Sequence, residues 1–440
     1  MTARHLIAHE HETLRRAPHG PLSAEAHAAF LRQLPALPVG ALTPTHDGLR
    51  TSSLCGLVRA GGWNLEILPK IYDSTTHLPD RGLLVGMLAD CFNVPVWQGD
   101  TAESGTADLL TIIIRAFLYE ARSQLRQGWL KAYITIEERL ARPRGRLMLQ
   151  EQVRRGRAHA HTMQCAFDEL TVNHAHNQVV KAAMRVAKKE LPVGSQLATL
   201  TERLEFSLDD VADIPLGADE IDRLPRQRLT QRYDRLLVLS SWLLRLLGPD
   251  VLGGTAQGLA LLFDMNRLFQ DYVGNALDGA IRRHPLRTRL RLTRERPIRA
   301  LVADASACER FMMKPDLCLH FDNRLIAILD TKWKRLLPDE LKAGVDQPDL
   351  YQLLAYGHTY RCDQLTLIYP EHPELSNWNR PTFRFAPHTP TAIGLNIITF
   401  DIERARVSAD RLLETQLAGL EHLAHACERP VSRVSATYNE

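Results

Sequence analysis

This chain of 440 residues lacks several features that would define a protein class at once. None of its seven cysteines form a CxxC pair, so neither a zinc site nor a disulfide framework is indicated, and the odd count fits free thiols in a reducing compartment. The eighteen histidines include no HExxH motif. There is also no GxxxxGK[ST] phosphate loop, so hydrolysis of a nucleotide by that kind of site is not expected.

Long hydrophobic runs and a dominant charge are missing as well. The longest apolar runs, at 109–118 and 236–247, are shorter than the roughly 20 residues of a membrane span and contain arginine. The formal net charge of +3 does not by itself select an acidic or a basic partner. Because the first residues also lack the apolar core of a signal peptide, we expect a cytoplasmic protein that does not bind a membrane.

The order of patterns along the chain predicts a mixed α/β protein with several domains. Apolar runs at 51–59 and 63–71, joined by two glycines, predict a β-hairpin. Towards the C-terminus a helix is followed by a strand pair (311–321 and 325–333), a helix at 347–360 and another strand. We expect a β-rich, partner-docking domain at 1–104, a mainly helical domain at 105–250, an α/β domain at 251–425 and a tail at 426–440.

The strand pair carries residues suited to phosphodiester chemistry. A hairpin centred on Asn323 would place Asp316 opposite Asp330, and Lys332 lies on the same face as Asp330 because side chains alternate along a strand. Two such carboxylates can hold Mg²⁺, which activates water and neutralises charge on a scissile phosphate, while a lysine assists. The alternative interpretation is a surface ion pair between Asp330 and Lys332, with Asp316 capping a turn.

An arginine-rich segment precedes this hairpin. Residues 282–299 contain eight arginines and one acidic residue, Glu295. Arginine forks match the geometry of phosphate groups, which favours DNA contacts, but alternation with leucine also fits a half-exposed strand with a solvated face. The candidate DNA-binding residues are Arg287, Arg289, Arg291 and Arg294.

Two further positions are predicted from helical spacing. Gln352 and Tyr356 stand at i and i+4 on the helix after the hairpin and therefore share a face. Asn177 and Lys181 have the same spacing on an earlier helix, where we expect an exposed polar pair.

These motifs resemble those of known nucleases. Pro315-Asp316 followed by Asp330-Thr331-Lys332 resembles the PD-(D/E)xK nuclease signature, and Gln352 with Tyr356 resembles the QxxxY element of RecB-type nucleases. From about residue 50 to 370 the chain also resembles the McrC family, the nuclease subunit of the McrBC restriction system for methylated cytosine. The stretches that carry this likeness include LEILPKI (65–71), RPRGRL (142–147), FDMNRLFQDYV (263–273), KPDLCL (314–319) and YQLLAY (351–356).

The resemblance implies a restriction-endonuclease-like fold and cleavage of double-stranded DNA that carries modified cytosine. Asp316 and Asp330 would bind Mg²⁺, with Mn²⁺ able to replace it, and Lys332, Gln352 and Tyr356 would complete the catalytic set. The implied partner is a McrB-type hexameric AAA+ GTPase, which would use the GTP and whose hydrolysis this chain would stimulate.

One departure from the family pattern leaves alternatives open. Members usually carry Glu in the helix before the arginine-rich segment, where this chain has Gln270 with Asp271 beside it. The source of a third acid is therefore open, and so is a non-catalytic adaptor that only activates the motor. A stand-alone RecB-like repair nuclease is a further alternative.

Overall fold

The computed structural model describes residues 4–72, 77–94, 107–154, 161–225, 227–248, 259–296, 299–306, 308–375, 378, 383, 385 and 393–427. The strands are β1 (Arg4–His9), β2 (Thr13–Arg15), β3 (Leu42–Pro44), β4 (Gly48–Thr51), β5 (Leu54–Ala60), β6 (Trp63–Leu68), β7 (Ala132–Leu140), β8 (Arg146–Leu147), β9 (Met163–Thr171), β10 (Leu259–Asp264), β11 (Leu290–Arg294), β12 (Arg299–Ala303), β13 (Glu309–Met313), β14 (Leu317–Phe321), β15 (Arg324–Thr331), β16 (Gln364–Pro370) and β17 (Gly394–Phe400). The α-helices are α1 (Ala24–Gln33), α2 (Leu78–Cys91), α3 (Leu109–Arg126), α4 (Leu149–Arg154), α5 (Ala175–Lys188), α6 (Gln196–Phe206), α7 (Asp219–Asp222), α8 (Asp234–Leu247), α9 (Met265–Arg283), α10 (Gln347–Tyr360) and α11 (Ala405–Cys427). The predicted mixed α/β class is confirmed.

The chain divides into two compact units. The first consists of Met1–Leu68 and Phe92–Phe263, and the second of Pro69–Cys91 and Asp264–Glu440. Compactness alone does not define folding domains, so the division at residues 104 and 250 stays a prediction. Most of the predicted tail, from residue 428 onward, lies outside the described residues. Within the described residues, every helix is too short or too polar to cross a bilayer.

The described strands of the first unit form three sheets, in the orders β1-β6-β5-β10, β2-β4-β3 and β7-β9-β8. The predicted hairpin is present as antiparallel β5 and β6. Gly61 and Gly62 connect them with φ of 54° and 82°, the left-handed values that a tight hairpin turn needs and that glycine adopts without strain.

Helices predominate among the described elements of the middle of the chain, but a small sheet that the sequence analysis did not predict lies among them. Strands β7 and β9 pair along nine residues each, and the short β8 joins their sheet. Strand β7 is half-buried at most, so its sequence lacks the strong apolar alternation by which a strand is recognised. The helices around it have buried apolar faces and were therefore easier to predict.

A buried polar junction links the helices and loops of the first unit. The Asn177 amide nitrogen donates hydrogen bonds to the carbonyls of Leu130 (2.9 Å) and Val172 (2.8 Å), and its oxygen accepts one from the Tyr233 hydroxyl at 2.9 Å. Lys181 Nζ donates to two backbone carbonyls just after α6. The prediction of an exposed polar pair is therefore wrong for both residues, because the neighbouring loops cover them.

Two buried histidines in the same region should make the stability of the folded chain depend on pH. Burial lowers the pKa of His174 and of His176, so the folded unit favours their neutral forms. As the pH falls below about 6.5, the unfolded chain takes up protons that the folded chain resists, and stability is lost. We expect the melting temperature to fall by roughly a few degrees between pH 7.5 and 5.5 in thermal unfolding.

The matched variants for this prediction are His176→Gln and His19→Gln. The first replaces a buried ring and should reduce the pH dependence, whereas the second replaces an exposed ring and serves as the control. Equal pH dependence in all three proteins would contradict the assignment.

The described residues of the second unit contain a five-stranded sheet in the order β11-β14-β15-β16-β17 and a two-stranded sheet of β12 and β13. In the larger sheet β14 is antiparallel to β11 and to β15, whereas β15, β16 and β17 run parallel to one another, so α10 serves as the crossover from β15 to β16. The predicted strand 311–321 is divided into β13 and β14. Pro315 lies in the gap, where a residue without an N–H group cannot extend a ladder.

Candidate active site

The β14–β15 hairpin brings two aspartates to the same level of the sheet. Leu317 pairs with Leu329, and extending this antiparallel register by one residue sets Asp316 opposite Asp330, as predicted. Asp316 precedes β14, and Asp330 lies near the end of β15. The pairing therefore follows from the hairpin itself and from the period-two alternation of strands.

The turn that produces this register differs from the predicted one. It is a two-residue turn, Asp322-Asn323, with φ of 48° and 64°, rather than a longer turn centred on Asn323. An irregularity between Leu319 and His320 shifts the pairing by one residue and compensates for the shorter turn. The register at the aspartates was thus correct although the turn was not.

Both carboxyl groups are withdrawn from water. Asp316 Oδ2 accepts hydrogen bonds from the backbone nitrogen and the hydroxyl of Thr331, each at 2.8 Å, but burial dominates and raises the pKa of Asp316. Asp330 is only 2% exposed, and its burial, together with the charge of Asp316, raises its pKa to about 6. Two carboxylates that disfavour each other's ionisation form a site that a cation would stabilise.

Lys332 supplies the positive charge of the cluster. Its Nζ lies 2.8 Å from Asp330 Oδ2 and 3.3 Å from Asp349 Oδ1, and it donates a hydrogen bond to Gln352 Oε1 at 3.1 Å. Burial lowers the pKa of Lys332, but the two carboxylates outweigh that effect and the pKa is raised. Because the pair with Asp330 is buried, the alternative of a surface ion pair is wrong.

The two residues predicted on α10 complete the arrangement. Gln352 Nε2 donates to the Tyr356 hydroxyl at 2.8 Å, and that hydroxyl donates to the backbone carbonyl of Lys314 at 3.1 Å. The structure therefore brings all five predicted residues together. Burial raises the pKa of Tyr356, so its phenol remains protonated near neutral pH.

Sequence reasoning missed Asp349, which lies in the first turn of α10. Besides Lys332, its carboxylate contacts Lys334 Nζ at 3.1 Å. Asp349 precedes Gln352 by three residues and therefore shares its helical face, a spacing that could have identified it.

Gln270 and Asp271 differ in their surroundings. Asp271 is paired with Arg267 at 3.0 Å, whereas Gln270 is buried, and its interaction with Glu295 helps to lower the pKa of that carboxyl group. Glu295, the one acid of the arginine-rich segment, donates its backbone N–H to the carbonyl of Asp316 at 3.2 Å. No role was predicted for Glu295, because nothing in its local sequence connects it with Asp316.

The four candidate DNA-binding arginines fall into two groups. Arg289 is paired with Asp322 and lies over the ring of Phe321, and Arg294 is paired with Asp278. These two already have carboxylate partners within the chain. Arg287 and Arg291 are exposed to solvent. DNA contact stays a prediction for all four.

The residues present fit a magnesium ion. Within the described part of the chain, no group of three or more His, Cys, Asp or Glu side chains is arranged to hold a metal. Asp316 and Asp330 nevertheless offer hard oxygen donors from adjacent strands, and Mg²⁺ commonly binds through one or two carboxylates while keeping several waters. Their raised pKa values mark a site where added positive charge would be favourable.

The sheet, its crossover helix and the buried aspartate–lysine cluster define a mixed α/β protein with a charged site at a strand end. Residues 49–370 match the family model described as "McrBC 5-methylcytosine restriction system component". The chain belongs to this family, and the resemblance seen in the sequence is confirmed.

A solved structure is similar to this chain in fold. The refined half-complex from the tetradecameric assembly of Thermococcus gammatolerans McrB AAA+ hexamers with bound McrC gives a TM-score of 0.67 at 16% identity, covering 93% of this chain and 99% of that chain. A cryo-EM structure of the Thermococcus gammatolerans McrBC complex gives 0.49 at 17% identity, covering 64% of this chain and 90% of that one. No curated protein matches the chain.

Proposed function

We propose that this chain is the Mg²⁺-dependent DNA endonuclease subunit of a restriction system directed at modified cytosine. The observation that carries the proposal is the buried cluster of Asp316, Asp330 and Lys332 on adjacent strands. Family membership supports the restriction system, and the cluster supports phosphodiester hydrolysis within it.

In this proposal Asp316 and Asp330 hold the cation, with Mn²⁺ able to replace Mg²⁺. The bound ion would supply an activated water and neutralise charge on the scissile phosphate. Lys332 remains an ammonium because Asp330 and Asp349 stabilise its charged form, so it can stabilise negative charge on the phosphate. Gln352 orients that ammonium.

Hydrolysis by direct attack of water agrees with the surroundings of the cluster. Tyr356 is the phenol nearest to these groups in the hydrogen-bond network, but its raised pKa disfavours the nucleophilic phenolate. Its hydroxyl instead connects α10 to the carbonyl of Lys314, two residues before Asp316. Its role in the proposal is therefore to position the first aspartate.

The proposed partners are a McrB-type hexameric AAA+ GTPase and double-stranded DNA with modified cytosine. The similar Thermococcus gammatolerans structure contains McrB AAA+ hexamers with bound McrC, which supports such a partner for this chain. The partner would hydrolyse GTP, because the sequence of this chain has no GxxxxGK[ST] loop. This chain would stimulate that hydrolysis.

The test is cleavage of methylated and unmethylated plasmid by this chain with its McrB-type partner, Mg²⁺ and GTP. We expect the methylated plasmid to be cut, and omission of Mg²⁺, GTP or either protein to prevent cutting. Stimulation of GTP hydrolysis without cutting would instead support the adaptor function, which the neutral Gln270 favours. Cutting by this chain alone would support a stand-alone nuclease.

A further inference from the structure

Asp349 lies between two lysines and contacts both of them. Its Oδ1 is 3.3 Å from Lys332 Nζ, and its Oδ2 is 3.1 Å from Lys334 Nζ. Both lysines follow β15, whereas Asp349 belongs to the first turn of α10, so this carboxylate connects the end of the strand to the crossover helix. The Asp349 side chain is only 11% exposed, and the two ammonium groups offset the cost of burying its charge.

The Lys332 ammonium is surrounded by three acceptor groups, as many as it has N–H groups. Asp330 Oδ2 lies 2.8 Å from Nζ, Gln352 Oε1 lies 3.1 Å from it, and Asp349 is the third. Two of the three come from α10, where they stand three residues apart on one helical face. The helix therefore holds the lysine independently of the strand that carries Asp330.

The contact between Lys332 and Asp330 is the one that a bound cation would disturb. In the proposed function Asp330 is a cation ligand, so the cation and the ammonium share one carboxylate and repel each other. A lysine held by Asp330 alone would turn away when the cation binds, because its stem is flexible. Asp349 is not a ligand in that proposal, so its contact with Lys332 remains when Asp330 is occupied.

Lys334 fixes the orientation of the Asp349 carboxylate. Its Nζ lies 2.5 Å from Asp346 Oδ2 as well as 3.1 Å from Asp349 Oδ2, and its backbone N–H donates to the carbonyl of Lys332 at 2.9 Å. Because each oxygen of Asp349 contacts a different lysine, rotation of the carboxylate would weaken at least one of the two contacts. Charges therefore alternate outward from the site, in the order Asp330, Lys332, Asp349, Lys334 and Asp346.

We propose that Asp349 is a positioning residue of the nuclease site, which holds the Lys332 ammonium in place when a cation occupies Asp330, and that Lys334 holds Asp349 in turn. This inference rests on the proposed function, in which Lys332 stabilises negative charge on the scissile phosphate. Asp349 itself contacts neither the cation nor the DNA and acts through Lys332.

The test is the rate at which the complex with its partner and GTP cleaves methylated plasmid, measured over a range of DNA and Mg²⁺ concentrations. We expect Asp349→Asn to lower kcat at least roughly tenfold, because a small displacement of a catalytic group is costly. The KM for DNA and the Mg²⁺ concentration that gives half the maximal rate should not change. Asp349→Glu restores the charge and should recover part of the rate. Asp339→Asn alters an exposed carboxylate between β15 and α10 and should cleave like the wild type.

Variants of Lys334 test the order of the contacts. Lys334→Met should lower kcat by roughly threefold, the size of effect expected from a partly exposed ion pair. The double variant Asp349→Asn/Lys334→Met should be no slower than Asp349→Asn, because Lys334 acts through Asp349. Additive losses would overturn the role of Lys334.

The outcomes separate this inference from the proposed function. A wild type that cleaves the plasmid no faster than Asp349→Asn would overturn the positioning role alone, and so would a loss accompanied by a higher Mg²⁺ requirement. A wild-type complex that does not cleave would overturn the proposed function and this inference with it. Circular dichroism melting identifies misfolding. If Asp349→Asn misfolds, wild-type kcat in the exposed variant Lys334→Met overturns the inference instead.

Discussion

Replacing Asp330 with asparagine is expected to abolish DNA cleavage by the assembled complex while making the chain itself more stable. The loss of a cation ligand should slow cleavage by at least roughly a thousandfold, or ~4 kcal/mol of activation free energy. The measurement is the initial rate of cleavage of methylated plasmid, with melting temperatures recorded for the same preparations.

The gain in stability follows from the pKa of Asp330. Its folded-state pKa of about 6 exceeds the ordinary value of 3.8, so the folded chain binds this proton more tightly than the unfolded chain. The stability from that protonated carboxyl is lost as the pH rises from about 4 to about 6, and at pH 7.5 the buried charge is a net cost. The asparagine side chain carries no such charge, so the variant should melt at a higher temperature at pH 7.5.

Asp322→Asn is the matched control for this variant. Asp322 lies in the turn of the same hairpin, is exposed, and has a positive φ that asparagine adopts readily. We expect its cleavage rate to remain that of the wild type. Wild-type cleavage by Asp330→Asn would contradict the catalytic assignment, whereas a melting temperature below that of the wild type would contradict the predicted gain in stability.

The second large effect is expected at the buried polar junction of the first unit. Asn177→Ala removes two donors and one acceptor from a fully buried position and leaves the Tyr233 hydroxyl and two carbonyls without this partner. The expected loss is about 3 kcal/mol in the free energy of unfolding, measured by urea denaturation.

A tyrosine pair gives this prediction its control. The Tyr233 hydroxyl also accepts the backbone N–H of Leu130 at 2.8 Å, whereas Tyr133 is 73% exposed. Tyr233→Phe should destabilise the unit by roughly 1–2 kcal/mol and Tyr133→Phe by almost nothing. The double variant Asn177→Ala/Tyr233→Phe should lose less than the sum of the two single losses, because the two side chains share a hydrogen bond. Additive losses would contradict a connected network.

The parts of the site that were predictable are those set by local geometry. Alternation along two adjacent strands was enough to bring Asp316, Asp330 and Lys332 together, and helical spacing was enough to connect Gln352 with Tyr356. The predicted register at the aspartates was correct despite an incorrect turn, because the irregularity between Leu319 and His320 shifts the pairing by one residue and compensates for the shorter turn.

The parts that were missed depend on contacts between distant segments. The position of Glu295 next to the site follows from its contacts with Arg267 of α9 and with Asp316. The burial of Asn177 follows from its contacts with Leu130, Val172 and Tyr233. The three-stranded sheet of β7, β8 and β9 was missed for a different reason. Its strands β7 and β8 are largely exposed, so their sequences do not need a regular alternation of buried apolar and exposed polar residues.

The parallel pairing of β15 with β16 has a consequence for the order of folding. The backbone N–H of Lys332 donates to the carbonyl of Ile368 at 2.8 Å, so the strand that supports the lysine is completed by a segment that follows the crossover helix. Such non-local pairing forms slowly, after the loop-closure entropy has been overcome. Residues through Ile368 must therefore have emerged from the ribosome before the segment that carries Lys332 can make this hydrogen bond.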